Sequence, residues 1–289
     1  MIKNEWPLQQ DRPLIYVRGQ SRDGGARASW RERGECHHGL MTLAVHTAEE
    51  RPDLWERGIP SDSVWPEYNL HGDALNRWWD HLSEDLPEFQ FVLYDETHDV
   101  VVAEGHTGPF WWDGSDETLP AGIDAAIAQI FAQVRAGEPL NTLCALAAEI
   151  PREGRARGLA AQLLTAMRGI AERRGLEHFV APVRPSLKER YPLTSIERYV
   201  RWRREDGQLF DPWMRLHERL GARAGVATPL PTSLAINGTV HEWETWTGMA
   251  FPESGEYVFP EGLALVHIDR TVDRGSYWEP NVWMVHPDL

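Results

Sequence analysis

The sequence has few cysteines and no long apolar run. Its 2 cysteines, Cys36 and Cys144, do not provide a framework of disulfide bonds. A membrane-spanning helix needs a run of about 18 apolar residues, and none occurs. The first residues also lack the hydrophobic segment of a signal peptide. We therefore expect a soluble, cytoplasmic protein with no membrane partner.

Net positive charge is also absent, because the formal net charge is -15. Nucleic acids and anionic membranes bind basic surfaces, so this charge argues against both as partners. It mildly favours a small or cationic substrate, although solubility alone explains an acidic surface equally well. The chain is instead rich in apolar and aromatic residues, with 42% hydrophobic residues and 14 Trp, which is typical of a packed globular protein.

The most informative stretch is a basic turn between a predicted strand and a predicted helix. Residues 143–148 are a short apolar run, and apolar residues recur at helical spacing over 159–171. The first N–H groups of a helix are unpaired and its dipole favours an anion, so the turn is a candidate phosphate site. Gly158 and Ala160 would let a pyrophosphate approach the backbone. The counter-charge would come from Arg152, Arg155 and Arg157. The alternative is a basic turn that caps an ordinary amphipathic helix.

The predicted elements around this turn follow a definite order. Residues 89–94 and 100–103 are strand-like runs joined by a polar connection of hairpin length, and residues 123–134 form a helical pattern. After the basic turn and its helix, residues 178–183 form a strand, which the right-handed crossover rule makes parallel to the strand before the turn. A further helix starts at Asp211-Pro212 and ends at Gly221.

The sequence Arg155-x-x-Gly158-x-Ala160 resembles the acyl-CoA-binding motif of the GNAT (Gcn5-related N-acetyltransferase) superfamily, Gln/Arg-x-x-Gly-x-Gly/Ala. The order of elements is similar to the GNAT fold as well. The resemblance implies an α/β (α+β layered) fold, with a mixed central sheet, splayed parallel strands and flanking helices. Acetyl-CoA would be the co-substrate, with its pantetheine arm between the splayed strands. The implied cofactor-binding residues are Ala148, Ile150, Arg152, Arg155, Ala156, Arg157, Gly158, Leu159 and Ala160.

The GNAT-like pattern covers about residues 37–250. Residues 1–36 are predicted to be an N-terminal arm, and residues 251–289 a C-terminal extension packed on the same domain. Several runs between residues 238 and 283 alternate in the way that strands do, and glycines and prolines are spaced among them. This pattern predicts strands with turns. We expect Trp243 and Glu244 to contribute to the substrate pocket. A contact within a homodimer or an extra sheet would explain these aromatic residues equally well.

The segment from Leu216 to Ala222 is similar to the GNAT segment Phe-Tyr-x-x-Leu-Gly-Phe, in which the Tyr protonates the departing CoA thiolate. His217 stands at that Tyr position, which departs from the pattern. A histidine has an ordinary pKa near 6.5 and is an adequate proton donor near neutral pH. The alternative is a histidine that is charged because it lies near a helix C-terminus. Tyr199 and Tyr191 are substitutes for this role.

An attacking amine must first lose a proton, because alkyl ammonium groups have pKa values of about 10. Glu149, at the end of the central strand, is the first candidate base, and Glu104 is the second. Strand residues alternate faces, so Glu149 could instead be an outward-facing carboxylate. Residues 180–192 contain too many prolines for a central strand throughout, and we expect Arg184 beside the acyl site, the cofactor phosphates or a substrate carboxylate.

The sequence thus predicts an acetyl-CoA-dependent N-acetyltransferase that acts on the amine of a small molecule by direct transfer. No covalent enzyme intermediate is needed, and we expect no metal, because Cys36-His37-His38 has no clear companion ligand pair nearby. One alternative is a CoA-binding GNAT-like protein without transferase activity, used as a sensor or scaffold. Another is acyl transfer from a carrier-protein thioester. The sequence does not identify the acceptor.

Overall fold

A mixed sheet runs through the chain in this computed structural model, which describes residues 42–60, 64–151 and 158–289. Within those ranges the strands are β1 (Leu43–Thr47), β2 (Gln90–Asp95), β3 (Val100–Phe110), β4 (Thr142–Glu149), β5 (His178–Val183), β6 (Arg223–Gly238), β7 (Gly255–Tyr257), β8 (Val266–Asp269) and β9 (Arg274–Val285). Their order is β1-β2-β3-β4-β5-β9-β8-β7, and β6 pairs with β9. The pairing of β4 with β5 is parallel, whereas the other pairings are antiparallel.

Helices flank this sheet and bury their apolar sides against it. The helices of the described ranges are α1 (Pro52–Arg57), α2 (Leu75–Asp85), α3 (Ile123–Ala136), α4 (Leu159–Arg173), α5 (Ile196–Tyr199), α6 (Pro212–Arg219) and α7 (Val240–Thr247). Ile127 and Ile130 of α3 and Leu163 and Met167 of α4 are fully buried in the main core cluster. Among the described residues, none of the helices combines the length and the apolarity needed to cross a bilayer.

The predicted fold class is confirmed, and several elements begin and end where their sequence signals lie. The predicted hairpin is β2 and β3, and the predicted strand at residues 178–183 is β5. Asp211 caps α6, since its Oδ1 accepts hydrogen bonds from the backbone N–H of Trp213 at 3.0 Å and of Met214 at 3.2 Å. Local signals of this kind need no knowledge of distant contacts, which explains why they are reliable here.

Strands β4 and β5 separate after a short parallel pairing. They pair at three positions, from Thr142 with His178 to Cys144 with Val180, although both strands continue beyond these residues. Beyond that point β5 pairs with β9 through Val183, and β4 pairs with β3 as far as Glu149. The sheet therefore opens between β4 and β5, as the resemblance to the GNAT fold implied.

Residues 238–248 were predicted as strand with turns, and this prediction is wrong, because α7 lies there. The helix begins with a capping box. The hydroxyl of Thr239 accepts a hydrogen bond from the backbone N–H of Glu242 at 3.2 Å, and the Glu242 carboxylate accepts one from the backbone N–H of Thr239 at 2.7 Å. Such a Thr-x-x-Glu sequence satisfies two N–H groups at a helix start, and it outweighed the apparent alternation of the aromatic residues.

The C-terminal residues belong to the same sheet as the rest of the described chain. Residues 251–289 supply β7, β8 and β9, and β9 pairs with β5 and with β6. The boundary predicted at residue 250 therefore falls within one continuous sheet. Residues 1–36, predicted as an arm, lie outside the described residues.

We expect Thr239→Ala to lower the free energy of unfolding by about 1 kcal/mol, because it removes the cap of α7. Urea unfolding followed by circular dichroism measures the change. Thr245→Ala in the same helix is the matched control, since the exposed hydroxyl of Thr245 bonds only its own helix, to the carbonyl of His241. Equal losses in the two variants would contradict a specific contribution from the capping box.

Candidate functional site

Helix α4 is the next described element after β4, the strand whose last residues are not paired with β5. Gly158 is the N-cap residue, with φ of 73° and no side-chain capping bond. Among the described residues, no atom lies within 4 Å of a Cβ placed at this position, so that part of the chain leaves the space beside the backbone open. The first N–H groups of a helix of 15 residues form an anion site when an open approach exists.

The structure describes only some of the predicted cofactor-binding residues. Leu159 is buried, Ala160 is half-buried, and Ile150 is buried in the main core. Ala148 lies on the part of β4 that does not pair with β5, opposite Gly105 of β3. Four further predicted residues lie outside the described ranges: Arg152, Arg155, Ala156 and Arg157.

A cluster of two carboxylates and one imidazole lies where β4 ends. Glu104 of β3 is directly opposite Glu149 of β4, and His106 shares a face of β3 with Glu104 because strand side chains alternate. His106 Nε2 lies 3.8 Å from a Glu104 oxygen and 3.7 Å from a Glu149 oxygen. One donor atom from each residue lies within 4.8 Å of the other two, which is the arrangement of a site for a positively charged group.

Each carboxylate is held by a hydrogen bond from another element. Glu104 accepts one from the backbone N–H of Ile59 at 2.7 Å, and Glu149 accepts one from the indole N–H of Trp65 at 2.9 Å. These bonds hold both carboxylates in position. The Glu104 side chain is 6% exposed and that of Glu149 is 15% exposed, so Glu149 is the more accessible of the two.

Indole rings form the wall of this cluster. The rings of Trp55 and Trp79 contact the His106 ring, with centroids 5.3 Å and 4.8 Å away. Trp55, Trp65 and Trp79 are all partly exposed, and Trp55 and Trp79 also pack against the hydrophobic core. Indole faces attract cations. The three tryptophans therefore add to the preference of the carboxylates for a cation.

His217 was predicted to protonate the thiolate, but it is fully buried. Its Nδ1 lies 2.9 Å from Nε2 of His286, and among the described residues its own Nε2 has no hydrogen-bond partner. Burial, and then the nearby His286, hold the pKa of His217 well below its ordinary value. A group that is buried and neutral in this way is poorly placed to contact a cofactor sulfur.

Tyr199, the predicted substitute for His217, is buried as well. Its hydroxyl donates a hydrogen bond of 2.9 Å to Oδ2 of Asp211, and burial and this carboxylate raise its pKa. Asp211 also accepts the backbone N–H groups that cap α6. Tyr199 therefore ties α5 to the start of α6, which favours a structural role over proton donation.

Arg184 was predicted to contact a cofactor phosphate or substrate carboxylate, but the structure holds it in an internal ion pair. Its Nε donates to Glu279 at 2.9 Å, and one Nη donates to the hydroxyl of Tyr68 and the carbonyl of Glu261 at 2.9 Å. Glu279 is also buried and accepts a hydrogen bond from Tyr277 at 3.3 Å. These contacts join β5 to β9 and favour a structural role for Arg184.

The predicted pocket residues of the C-terminal part also have other surroundings. Trp243 is 0% exposed, and its ring packs on those of Tyr68, Phe259 and Tyr277. Glu244 accepts a hydrogen bond from the backbone N–H of Phe251 at 3.1 Å. The burial of Trp243 inside the aromatic core favours a structural role, and a place for Trp243 or Glu244 in the substrate pocket stays a prediction.

Sequence reasoning identified Glu149 and Glu104 but missed His106, Trp55 and Trp65. The Glu-x-His spacing on β3 was a signal, because residues two apart share a strand face. The tryptophans gave no signal for this cluster, since they belong to segments about 40 to 90 residues distant in sequence that only the fold brings together.

No protein-family model matches the sequence. A curated relative, the arginine N-acetyltransferase avaD of Aspergillus versicolor, is 32% identical over 276 residues, which cover 84% of this chain and 93% of the relative. Among solved structures, the loading GNATL domain of CurA from Lyngbya majuscula has a TM-score of 0.47 at 17% identity, covering 86% of this chain and 98% of that one. The mosquito protein named arylalkylamine N-acetyltransferase like 5b has a TM-score of 0.41 at 11% identity, and the match covers 86% of this chain and 100% of that one. At these TM-scores the structural likeness supports no argument about function.

The identity to the curated relative and its coverage define an acyltransferase. The chain belongs to the GNAT superfamily, which confirms the prediction made from the sequence around Gly158. It is an N-acetyltransferase that uses an acyl-CoA as donor and a small amine as acceptor.

The buried pair of histidines predicts how stability depends on pH. Burial lowers the pKa of His286 to about 4, below the value of about 6.5 for an unfolded histidine. Between these values the unfolded chain binds more protons, so the contribution to stability is complete above about pH 6.5 and is lost as the pH falls towards 4. We expect His286→Gln to flatten the pH dependence of the unfolding free energy over this range.

Urea unfolding at pH 4.5, 5.5, 6.5 and 7.5 measures this dependence. His241→Gln is the control, because His241 is exposed and should leave the dependence as in the wild type. An unchanged pH dependence in His286→Gln would show that His286 does not contribute.

Proposed function

We propose that this enzyme transfers the acetyl group of acetyl-CoA to an amine of arginine or of a closely related cationic small molecule. The observation that carries the proposal is the cluster of Glu104, His106 and Glu149 at the end of β4. Two carboxylates beside indole rings favour a positively charged acceptor. The name of the curated relative, an arginine N-acetyltransferase, supports the same class of acceptor.

The donor side of the reaction uses the backbone. Beyond Cys144, the edge of β4 that faces β5 is available to pair with an extended amide chain, in the way that an added strand pairs with a sheet edge. The pantetheine arm has such amides, and the N-terminus of α4 at Gly158 would bind the pyrophosphate. Acetyl-CoA supplies the thioester carbonyl that the amine attacks.

On the acceptor side, Glu149 takes a proton from the ammonium group, since a protonated nitrogen has no lone pair for attack. The nitrogen then forms a bond to the thioester carbon and loses a second proton, and the carbon–sulfur bond breaks. The thiolate takes up one proton from solvent, so the whole reaction releases one proton. No enzyme nucleophile is required. Cys144 is unsuited to that role, because it is 0% exposed and its burial raises the pKa of the thiol.

Incubation of the full chain with acetyl-CoA and arginine tests the proposal, with thiol release and product mass as readouts. We expect release of one thiol per acetylated arginine formed. Absence of acetylation with arginine, agmatine and ornithine would contradict a cationic acceptor of this class.

We expect Glu149→Gln to lower kcat by about 10²- to 10⁴-fold, the usual contribution of a general base, with a smaller change in KM. Steady-state thiol release measures both constants. Glu177→Gln is the matched control, because Glu177 is an exposed glutamate and should keep wild-type activity. A Glu149→Gln variant with wild-type kcat would remove Glu149 from the mechanism.

We expect Gly158→Ala to weaken CoA binding by about tenfold, because a methyl group would enter the space that the pyrophosphate needs beside the backbone. Gly175→Ala is the control. Both glycines flank α4 and have φ of 73° and 70°, and no atom of the described residues lies within 4 Å of a Cβ added at either, so both variants should lose about 1 kcal/mol of stability through backbone strain. Titration calorimetry with CoA and urea unfolding separate the two effects. Equal CoA affinities in both variants would place the pyrophosphate elsewhere.

A further inference from the structure

We infer that Glu104 and Glu149 jointly bind the reacting ammonium group of the acceptor, with Glu104 as the carboxylate that holds it and Glu149 as the one that takes its proton. This inference rests on the proposed function. It goes further in giving two chemically identical side chains two different tasks and in assigning Glu104 to acceptor affinity.

The spacing of the cluster fits an ammonium group. Charge-assisted hydrogen bonds from nitrogen to oxygen are about 2.8 Å long, so two oxygens that accept from one tetrahedral nitrogen are about 4.6 Å apart. One carboxylate oxygen of Glu104, one of Glu149 and a ring nitrogen of His106 all lie within 4.8 Å of one another. One primary ammonium can therefore donate to both carboxylates at the same time.

The distances of 3.7 Å and 3.8 Å from His106 Nε2 to the carboxylate oxygens are also close to the separation of about 3.4 Å between the ligand atoms of a tetrahedral zinc ion. The choice of an ammonium group therefore rests on the indole rings beside the cluster and on the curated relative. The curated relative points independently to an acceptor that carries a cation.

The surroundings of the two carboxylates explain the division of tasks. Glu104 is the less exposed and accepts a hydrogen bond from the backbone N–H of Ile59 at 2.7 Å, which holds its carboxylate in place. A carboxylate has about four acceptor positions, so a ligand can donate to Glu104 alongside the contacts that this side chain already makes. Glu149 is more exposed and lies on the part of β4 that is not paired with β5, beside the expected thioester. Glu149 is therefore the residue placed to move a proton.

The two tasks predict different kinetic signatures. Loss of a group that holds the ammonium in both ground state and transition state raises KM with little change in kcat, whereas loss of the base lowers kcat. We expect Glu104→Gln to raise KM for arginine by at least tenfold and to change kcat by less than about threefold. A Glu104→Gln variant whose kcat falls as far as that of Glu149→Gln, with KM unchanged, would overturn the division.

A set of three ligands identifies the group that Glu104 contacts. Arginine has both cations, citrulline replaces the guanidinium by a neutral urea, and 5-guanidinopentanoate lacks the ammonium. Calorimetric titration of wild type and Glu104→Gln, each saturated with CoA, measures the three affinities. We expect Glu104→Gln to weaken arginine and citrulline by a similar factor and to leave 5-guanidinopentanoate unchanged. Weakening of arginine and 5-guanidinopentanoate with citrulline unchanged would assign Glu104 to the guanidinium and overturn the inference.

Failure of the inference differs from failure of the proposed function. If wild type acetylates arginine and Glu104→Gln keeps wild-type KM and affinities, the inference alone is wrong. If wild type acetylates no cationic amine, the proposed function is wrong. Glu177→Gln again serves as the control, and circular dichroism shows whether Glu104→Gln folds. A Glu104→Asp variant, which keeps the charge, should recover part of the arginine affinity, and no recovery in a folded Glu104→Asp would also count against a charge contact.

Discussion

The separation of β4 from β5 is the constraint on which the site depends. A pair of parallel strands that stop pairing after three residues would be unstable if each had no other neighbour, because buried backbone groups need hydrogen-bond partners. Here each strand is held on its far edge, β4 by β3 as far as Glu149 and β5 by β9 as far as Val183. The opening is therefore a stable feature of the sheet, and the C-terminal strand β9 is essential to it. The Arg184–Glu279 ion pair also ties β5 to β9.

A second consequence of the topology is that two like charges face each other at the edge of the opening. Directly opposed carboxylates on antiparallel strands destabilise a sheet. In this protein, Glu104 and Glu149 occupy such a pair, with hydrogen bonds from Ile59 and Trp65 and with His106 close to both. The register between β3 and β4 shifts beside His106, since His106 is opposite Ala147 and Thr107 is opposite Ala145. Bulges of this kind often adjoin active sites and re-aim side chains. An arrangement that costs stability locally is expected where it serves binding or catalysis.

The sequence predicted the features that depend on short stretches of chain. The run from β4 through the turn at Gly158 into α4 combines a strand pattern, a positive-φ glycine and an apolar stripe, all within about 30 residues. The features that were missed depend on distant partners. The ion pair of Arg184 joins residues 95 positions apart, and the contact of Trp65 with Glu149 spans 84 positions. A single sequence does not contain these pairings, so it cannot separate a charged residue that binds substrate from one that holds two strands together. The helix α7 is a different case, because its Thr239-x-x-Glu242 signal was present in the sequence.

The reaction removes protons from the acceptor amine and adds one to the departing thiolate, and these two steps differ in how much they need a protein side chain. The burial of His217 is related to this difference. His217 is neutral, because burial lowers its pKa, and it can donate from Nε2 only if His286 donates its own Nε2 proton to Nδ1 of His217. An alkyl thiol has a pKa of about 8.5 and an alkyl ammonium a pKa of about 10. Near neutral pH a departing thiolate is therefore protonated readily by water, whereas the amine needs a base before it can attack. A dedicated acid adds little under these conditions, and a fixed base adds much. This asymmetry fits a protein in which two glutamates face each other at the end of β4, while His217 is buried on the inner side of the partly exposed helix α6.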